Sequence, residues 1–365
     1  MTVVLASSAL CPPGTPSPGW VAVDGDTIAE VGEGSPPHRA LDLGDALLLP
    51  AFVDIQCNGV ADVDLATADA AAWRRVCATL ARHGVGSFCP TFVTAPLTAY
   101  EPMLAAADAA RAASADAEAS VLGVHLEGPF LGGAPGAHDR ALLGPVDLAW
   151  LTRIITEWPR LLRMVTLAPE ADAGLEATRA LHDAEIVVAL GHSAASYEEV
   201  ERAAQAGASV VTHLFNGMPP FHHREPGLVG AALADDRLTP TVIADLVHVH
   251  PAALRLAAAC KPHLAAVSDS VAPGRGVVAR DGAAWLADGT LAGATTLLDG
   301  AFANLVRAGI PVARAAAMVT AAPARLVGAG DRGVLRGGAR ADLVVLDPQS
   351  LEVVRVWLGG VPVAS

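Results

Sequence analysis

A single lysine, Lys261, occurs in 365 residues. That scarcity excludes a Walker-type phosphate lysine and argues against a Schiff-base enzyme. It also leaves no second lysine to be carboxylated as a bridge between metals. Charged residues are only 17% of the chain and hydrophobic ones 52%, so no long stretch is expected to be disordered. No apolar run approaches the ~20 residues of a membrane span. The mean hydropathy of +0.42 instead reflects alanine, about a fifth of the chain. Cysteines are few, odd in number and widely spaced (Cys11, Cys57, Cys77, Cys89, Cys260), with no CxxC. This disfavours a disulfide framework or a thiolate zinc site, and it predicts buried thiols in a reducing cytoplasm. Met1–Leu10 lacks a basic residue and soon meets Pro12 and Pro13, so no signal peptide is expected. Basic residues number 24 against 38 acidic, a net charge of −14. Such a field repels nucleic acid and anionic membranes, and an anionic small substrate would need a local basic pocket.

Both ends of the chain read as β. Thr2–Leu10, Gly19–Val31, Ala40–Leu48, Ala341–Leu346 and Val353–Leu358 are short Val/Leu-bearing runs between Gly, Pro and Asp turn signals. Neither end holds enough strands for its own core. One small β-sandwich built from both ends, residues 1–49 plus 333–365, is the simplest arrangement, with residues 50–332 between them.

That middle alternates. Eight apolar runs, Leu47–Ile55, Val85–Val93, Ser120–Leu126, Leu162–Ala168, Glu185–Leu190, Ser209–Leu214, Thr241–Val247 and Leu264–Val267, are mostly followed by helical periodicity. The helices include Ala70–His83, Leu97–Ala117 with its alanine-rich part, Leu148–Glu157, Gly174–Ala184, Tyr197–Ala206 and Ala252–Ala259. Ser196 and Glu199 form a capping box, and Gly84 and Gly207 are stop signals. This alternation predicts an α/β fold, a (β/α)8 TIM barrel. A hairpin over Val277–Leu291 and a helical region over Leu298–Val327 follow.

In such a barrel the active site lies at the C-terminal ends of the strands. Run three ends in Glu127, run five in Gly191-His192-Ser193, run six in Thr212-His213, run seven in His248 and run eight in Asp269. Five strands thus deliver carboxylate or imidazole to one rim. Glu127, His192 and His213 are the ligand set of a catalytic zinc site with one position open. Zinc brings the pKa of a bound water to ~7, and Asp269 is the natural acceptor of that proton and donor to a leaving amine. His125, two residues before Glu127, shares its side of the strand and is expected to support it. His83 and His182 lie near helix C-termini, where a structural role is expected. His38 and His263 read as loop residues. The loop Asn216–Gly227 holds His222, His223 and Arg224, a cationic cluster suited to phosphate, and the backbone at Asn216-Gly217 offers further anion-binding donors.

These residues resemble the N-acetylglucosamine-6-phosphate deacetylase family of the amidohydrolase superfamily. The similarity is carried by Pro50–Gly59 (PAFVDIQCNG), His125–Leu131 (HLEGPFL), Gly191–Ser193 (GHS), Thr212–Leu233 (THLFNGMPPFHHREPGLVGAAL), Ile243–Pro251 (IADLVHVHP), Ser268-Asp269 and Asp331–Asp347 (DRGVLRGGARADLVVLD). It implies a metal-dependent barrel that hydrolyses the acetamide of a phosphorylated amino sugar. Glu127, His192 and His213 would bind metal, Asp269 would be the acid/base, and His138 would polarise the carbonyl. Asn216, Gly217, Arg224 and His248 would bind the sugar phosphate. The arginine would serve a neighbouring subunit, hence a homodimer. Many superfamily members open the barrel with His-x-His, which binds a second metal. Here Gln56-Cys57-Asn58 stands there, and amides are poor zinc ligands, so one ion per site is expected, zinc first, with Fe2+ or Mn2+ also accepted by this set. The loop after Asn58 is poor in glycine, and Ser270 and Arg275 stand where small residues are usual. A deacetylase of N-acetylgalactosamine 6-phosphate, another N-acyl amidohydrolase and a non-catalytic barrel scaffold are the alternatives.

Overall fold

The computed structural model describes residues 3–10, 16–36, 39–274 and 276–364. Cys11, His38 and Arg275 lie outside the described residues. Eight parallel strands form the barrel: β1 (Phe52–Cys57), β2 (Val85–Val93), β3 (Val124–Glu127), β4 (Leu162–Leu167), β5 (Val187–Leu190), β6 (Ala208–Val211), β7 (Thr239–Ile243) and β8 (Ala265–Val267). Each pairs with the next in parallel. The seam between β8 and β1 is closed by the Asp269 N–H donating to the Gln56 carbonyl at 2.9 Å and by a bridge between Cys57 and Ser270.

Strand periodicity of two sorts side chains inward and outward. Inside the barrel, Val53, Ile55, Cys89, Met164, Ala189, Val210, Ile243 and Val267 form an apolar layer, closed below by Ala324 and Val327. One step up each strand, Thr91, His125, Thr166 and Thr212 form a buried polar layer. The rim residues come next. Outward residues such as Phe52, Phe88, Leu126, Val165, Val188 and Val211 pack under the surrounding helices.

Several of those helices start where a side chain caps them. Asp69 accepts from Ala72 N–H at 2.8 Å to open Ala70–Arg82, and Asp147 accepts from Trp150 N–H at 2.9 Å to open Leu148–Glu157. Ser196 and Glu199 make the reciprocal capping box of Tyr197–Gln205. A further helix, Gly227–Ala234, has no counterpart in the sequence reading. Its residues Leu228–Ala232 are all buried, so no polar face gives it a readable period.

The terminal strands form one eight-stranded sheet ordered Val361–Pro362, Val353–Leu358, Leu343–Leu346, Leu47–Pro50, Val3–Leu10, Ser17–Asp24 and Thr27–Glu33, with Leu41–Asp42 also paired to Val3–Leu10. One face gives Leu47, Leu49, Val344 and Leu346 to the barrel's outer core. The other gathers Leu5, Val21, Ile28, Leu48, Val345 and Trp357 into a separate core, so the sheet folds over itself as a sandwich. The first apolar run is therefore two strands, not one. Leu47–Pro50 belongs to this sheet and Phe52–Cys57 to the barrel, and the unbroken burial of both hides the change. The alanine-rich helix ends at Ala112. The expected hairpin is a three-stranded meander, Val277–Arg280, Ala283–Leu286 and Leu291–Ala294, with positive φ at Asp281 and Gly282 in its first turn. Cys57, Cys77 and Cys89 are buried, but Cys260 is exposed at a helix end, contrary to the expectation for thiols. Among the described residues no helix is long and apolar enough to cross a membrane.

Candidate active site

Glu127 ends β3, and His192 and His213 each lie two residues beyond a strand, β5 and β6. The structure brings all three together in the barrel mouth. Glu127 Oε1 is 3.2 Å from His192 Nε2 and 2.9 Å from His213 Nε2, and the two Nε2 atoms are 3.0 Å apart. The opposite ring nitrogens face carbonyl oxygens, Ala134 for His192 Nδ1 at 3.3 Å and Asn216 for His213 Nδ1 at 3.1 Å. A carbonyl only accepts, so each Nδ1 carries the proton and each Nε2 offers a lone pair. Three acceptors thus converge with no donor among them. Such a cluster is stable only around a cation, and this donor set suits a divalent metal ion. Without a cation, a proton takes its place. Burial would push the His213 imidazole down in pKa, but Glu127 beside it raises it above the ordinary histidine value. Burial likewise works to raise Glu127, yet the neighbouring His192 and His213 rings hold it well below the usual carboxylate range.

Asp269 lies two residues beyond β8. Its Oδ1 accepts from Asn58 Nδ2 at 2.8 Å and from Gln56 Nε2 at 3.2 Å, and the same Gln56 amide donates to Glu127 Oε1 at 3.0 Å. A neutral amide thus bridges the two carboxylates. Burial, then the nearby Glu127 charge, pushes the Asp269 carboxyl up to about 7. His192, His213 and Asp269 all have left-handed backbones, with φ of 49°, 34° and 48°. Non-glycine residues adopt such angles at a cost, and they gather at functional sites. Here neighbours hold them: His213 N–H donates to Thr241 Oγ1 at 2.8 Å, and the His192 carbonyl accepts from Gly132 N–H at 2.8 Å.

A cavity of about 760 Å³ opens over this cluster. Its walls include Asn58, His138, Asn216, Gly217, His248 and the meander residue Leu291.

The model of the amidohydrolase family matches residues 47–363. This chain belongs to the amidohydrolase family. It is 39% identical over 346 residues to the N-acetylglucosamine-6-phosphate deacetylase of Bos taurus, covering 87% of this chain and 84% of the relative. It is 38% identical over 329 residues to the N-acetylgalactosamine-6-phosphate deacetylase of Escherichia coli O157:H7, covering 86% and 87%. Its fold is similar to that of N-acetyl-D-glucosamine-6-phosphate deacetylase from Mycobacterium smegmatis, an Asp-to-Ala mutant in complex with N-acetyl-D-glucosamine-6-phosphate. There the TM-score is 0.92 at 32% identity, covering 100% of both chains.

In this amidohydrolase, His138 Nδ1 lies 2.8 Å from Thr94 Oγ1 and its ring meets that of His192 edge-on, with centroids 4.3 Å apart. Burial pushes it down to about 3, so it is a neutral imidazole. His248 Nδ1 pairs with Asp245 Oδ2 at 2.6 Å. Gly217 also buttresses the cluster: with φ of 60°, a Cβ there would lie 2.7 Å from His192 Nδ1. The Asn216 amide turns back to the carbonyls of His213 and Leu214, at 3.3 and 3.4 Å. Arg224 is the exception. It is exposed, donates from Nη1 to His223 Nε2 at 3.0 Å, and does not line the cavity of its own chain. No arginine or lysine among the described residues does.

His125 hydrogen bonds to Thr91 at 3.2 Å and to Thr166 at 2.8 Å, one layer below Glu127, and burial pushes it down to about 4. His83 closes its helix and pairs with Asp299 at 2.7 Å, a structural role. The sequence reading missed Glu170. Its Oε1 accepts from Gly133 and Ala194 N–H at 2.9 and 2.8 Å and its Oε2 from Ser193 at 2.6 Å, tying together the loops after β3 and β5. Nothing in its local sequence signals that.

Proposed function

We propose that this amidohydrolase removes the acetyl group of N-acetylglucosamine 6-phosphate, yielding glucosamine 6-phosphate and acetate. The observation that carries the reading is the trio of converging acceptors, Glu127, His192 and His213, with Asp269 beside it in one cavity. The names of the relatives supply the substrate class.

Glu127, His192 and His213 would hold one divalent ion, most simply zinc, since two imidazoles and a carboxylate with a position left over are its usual catalytic set. Bound there, such an ion polarises an amide carbonyl and acidifies water. Gln56 and Asn58 occupy Oδ1 of Asp269 and leave Oδ2 to exchange protons. Asp269 takes a proton from the attacking water as the new C–O bond forms, and returns it to the nitrogen as the C–N bond breaks. His138, neutral and held at Nδ1 by Thr94, directs Nε2–H at the carbonyl oxygen. His248, with Nδ1 fixed by Asp245, turns Nε2 to the sugar phosphate beside Asn216 and Gly217. Among the described residues no arginine or lysine lines the cavity, and Arg224 lies outside it. In line with the family resemblance, a second copy supplies Arg224 to the phosphate, and the working unit is a homodimer. The buried free thiols of Cys57, Cys77 and Cys89 fit a reducing cytoplasm.

A second reading, N-acetylgalactosamine 6-phosphate as substrate, is favoured by the Escherichia coli relative. Acetate release from the two phosphorylated sugars and from unphosphorylated N-acetylglucosamine separates these readings. Fast turnover of the glucosamine derivative alone is the expected result. Preference for the unphosphorylated sugar would refute the proposal.

A further inference from the structure

We propose that Asp54 and Ser268 form a latch across the barrel seam that sets the position of Asp269, making Asp54 a positioning residue for the hydrolysis. The inference takes the role of Asp269 from the function proposed above; the latch itself stands on the contacts of Asp54 and Ser268, neither of which touches Glu127, His192 or His213.

Asp54 sits on β1 with 0% exposure, between the buried Val53 and Ile55. Burying a carboxylate costs free energy unless it is hydrogen-bonded, and no cation pairs with this one among the described residues. Burial pushes it up to about 6. A valine or leucine would fill the space without that cost, so its hydrogen bonds define what the carboxylate does. Oδ2 accepts from Ser268 Oγ at 2.5 Å, and Oδ1 accepts from the N–H groups of Ser268 and Gln56, both at 3.2 Å. The Ser268 hydroxyl oxygen then accepts from Ser270 N–H at 3.1 Å.

The carboxylate thereby grips the backbone on both sides of Asp269, directly at Ser268 and through one hydroxyl at Ser270. Its third bond holds Gln56, whose side chain holds Asp269 Oδ1. One buried group thus orders both the backbone and the side-chain anchor of the proton-transfer residue. The place fits the task. The seam between β8 and β1 has no regular ladder, and Asp269 just beyond it has a left-handed φ of 48° that needs external support.

The test is a double-mutant cycle in the zinc-loaded protein, using Asp54→Asn, Asp269→Asn and the two combined. Asp54→Asn should lower kcat roughly 10–100-fold, as a small misplacement of a reacting group does, with KM and zinc content kept. In the Asp269→Asn background it should change kcat by less than about twofold. An equal loss in both backgrounds, or loss of zinc, would mean a general structural role and overturn the latch. Ser268→Ala, which leaves the buried carboxylate in place, should show the same pattern and serves if Asp54→Asn does not fold. Amide hydrogen exchange gives a readout independent of turnover. Asp54→Asn or Ser268→Ala should speed exchange at Ser268 and Ser270 while His213 keeps its protection; unchanged exchange at both serines overturns the proposal. If the wild type releases no acetate at all, the proposed reaction fails, and the exchange result still decides the latch.

Discussion

His192 Nε2 and His213 Nε2 stand 3.0 Å apart, each with its Nδ1 committed to a backbone carbonyl. Two imidazoles so oriented repel unless something positive lies between them. Their backbones, both at positive φ, are held in that strained geometry by the loops around them. The fold spends stability to bring three lone pairs together, and a metal ion bound by Glu127, His192 and His213 would restore it.

Asp269→Asn removes the proton acceptor but keeps the side-chain shape. Turnover should fall about 10²–10⁴-fold, with KM and metal content near wild type. Near-normal kcat at saturating substrate would exclude Asp269 as the acid/base.

Gly217→Ala tests the packing behind His192. A methyl group there would lie 2.7 Å from His192 Nδ1 on a backbone with φ of 60°. The ring must move off the Ala134 carbonyl, and metal affinity should weaken roughly 10–100-fold, as it does when an outer partner of a ligand is lost. Competition with a chelator of known affinity measures this; an unchanged affinity would contradict the packing argument.

Arg224 tests the dimer. Arg224→Ala alone should raise KM more than it lowers kcat. Mixed with Asp269→Asn protein under subunit exchange, it should regain activity, because a mixed dimer contains one site with Asp269 from one chain and Arg224 from the other. No recovery in a mixture that demonstrably forms mixed dimers would place Arg224 elsewhere.

His125 predicts an acid limb of stability. Its pKa is near 4 when buried and 6.5 unfolded. The unfolded chain therefore takes up the proton first as pH falls. The stability is complete above pH ~6.5 and is lost progressively down to ~4, on the order of 3 kcal/mol in all. Denaturant unfolding of chelator-treated protein at several pH values should show this fall, and His125→Gln should flatten it. An equally steep fall in the variant would assign the limb to other groups.

Much of the site was legible because barrel chemistry places its residues just past apolar runs. Glu127, His192, His213 and Asp269 each close such a run, and the structure gathers them. The capping box at Ser196 and Glu199 was legible because its partners are three residues apart. Long-range partners were not. Gln56 and Asn58 could be recognised as poor ligands, but their donation to Asp269 depends on a seam joining residues more than 200 positions apart. The same holds for Asp54 with Ser268, while Glu170 and Ser193, 23 positions apart, meet only because the loops after β4 and β5 are neighbours in the barrel. Burial also hid two elements: the break at Pro50 within continuous apolar sequence, and the helix Gly227–Ala234, apolar on every side.

The central claim, that a lone cation at Glu127, His192 and His213 empowers the hydrolysis, is tested most directly by adding zinc back to chelator-stripped protein while measuring acetate release from N-acetylglucosamine 6-phosphate. The account predicts no activity before addition, then a linear rise that stops at one equivalent per chain. Full activity in the stripped protein, or a rise that continues to two equivalents, would contradict it.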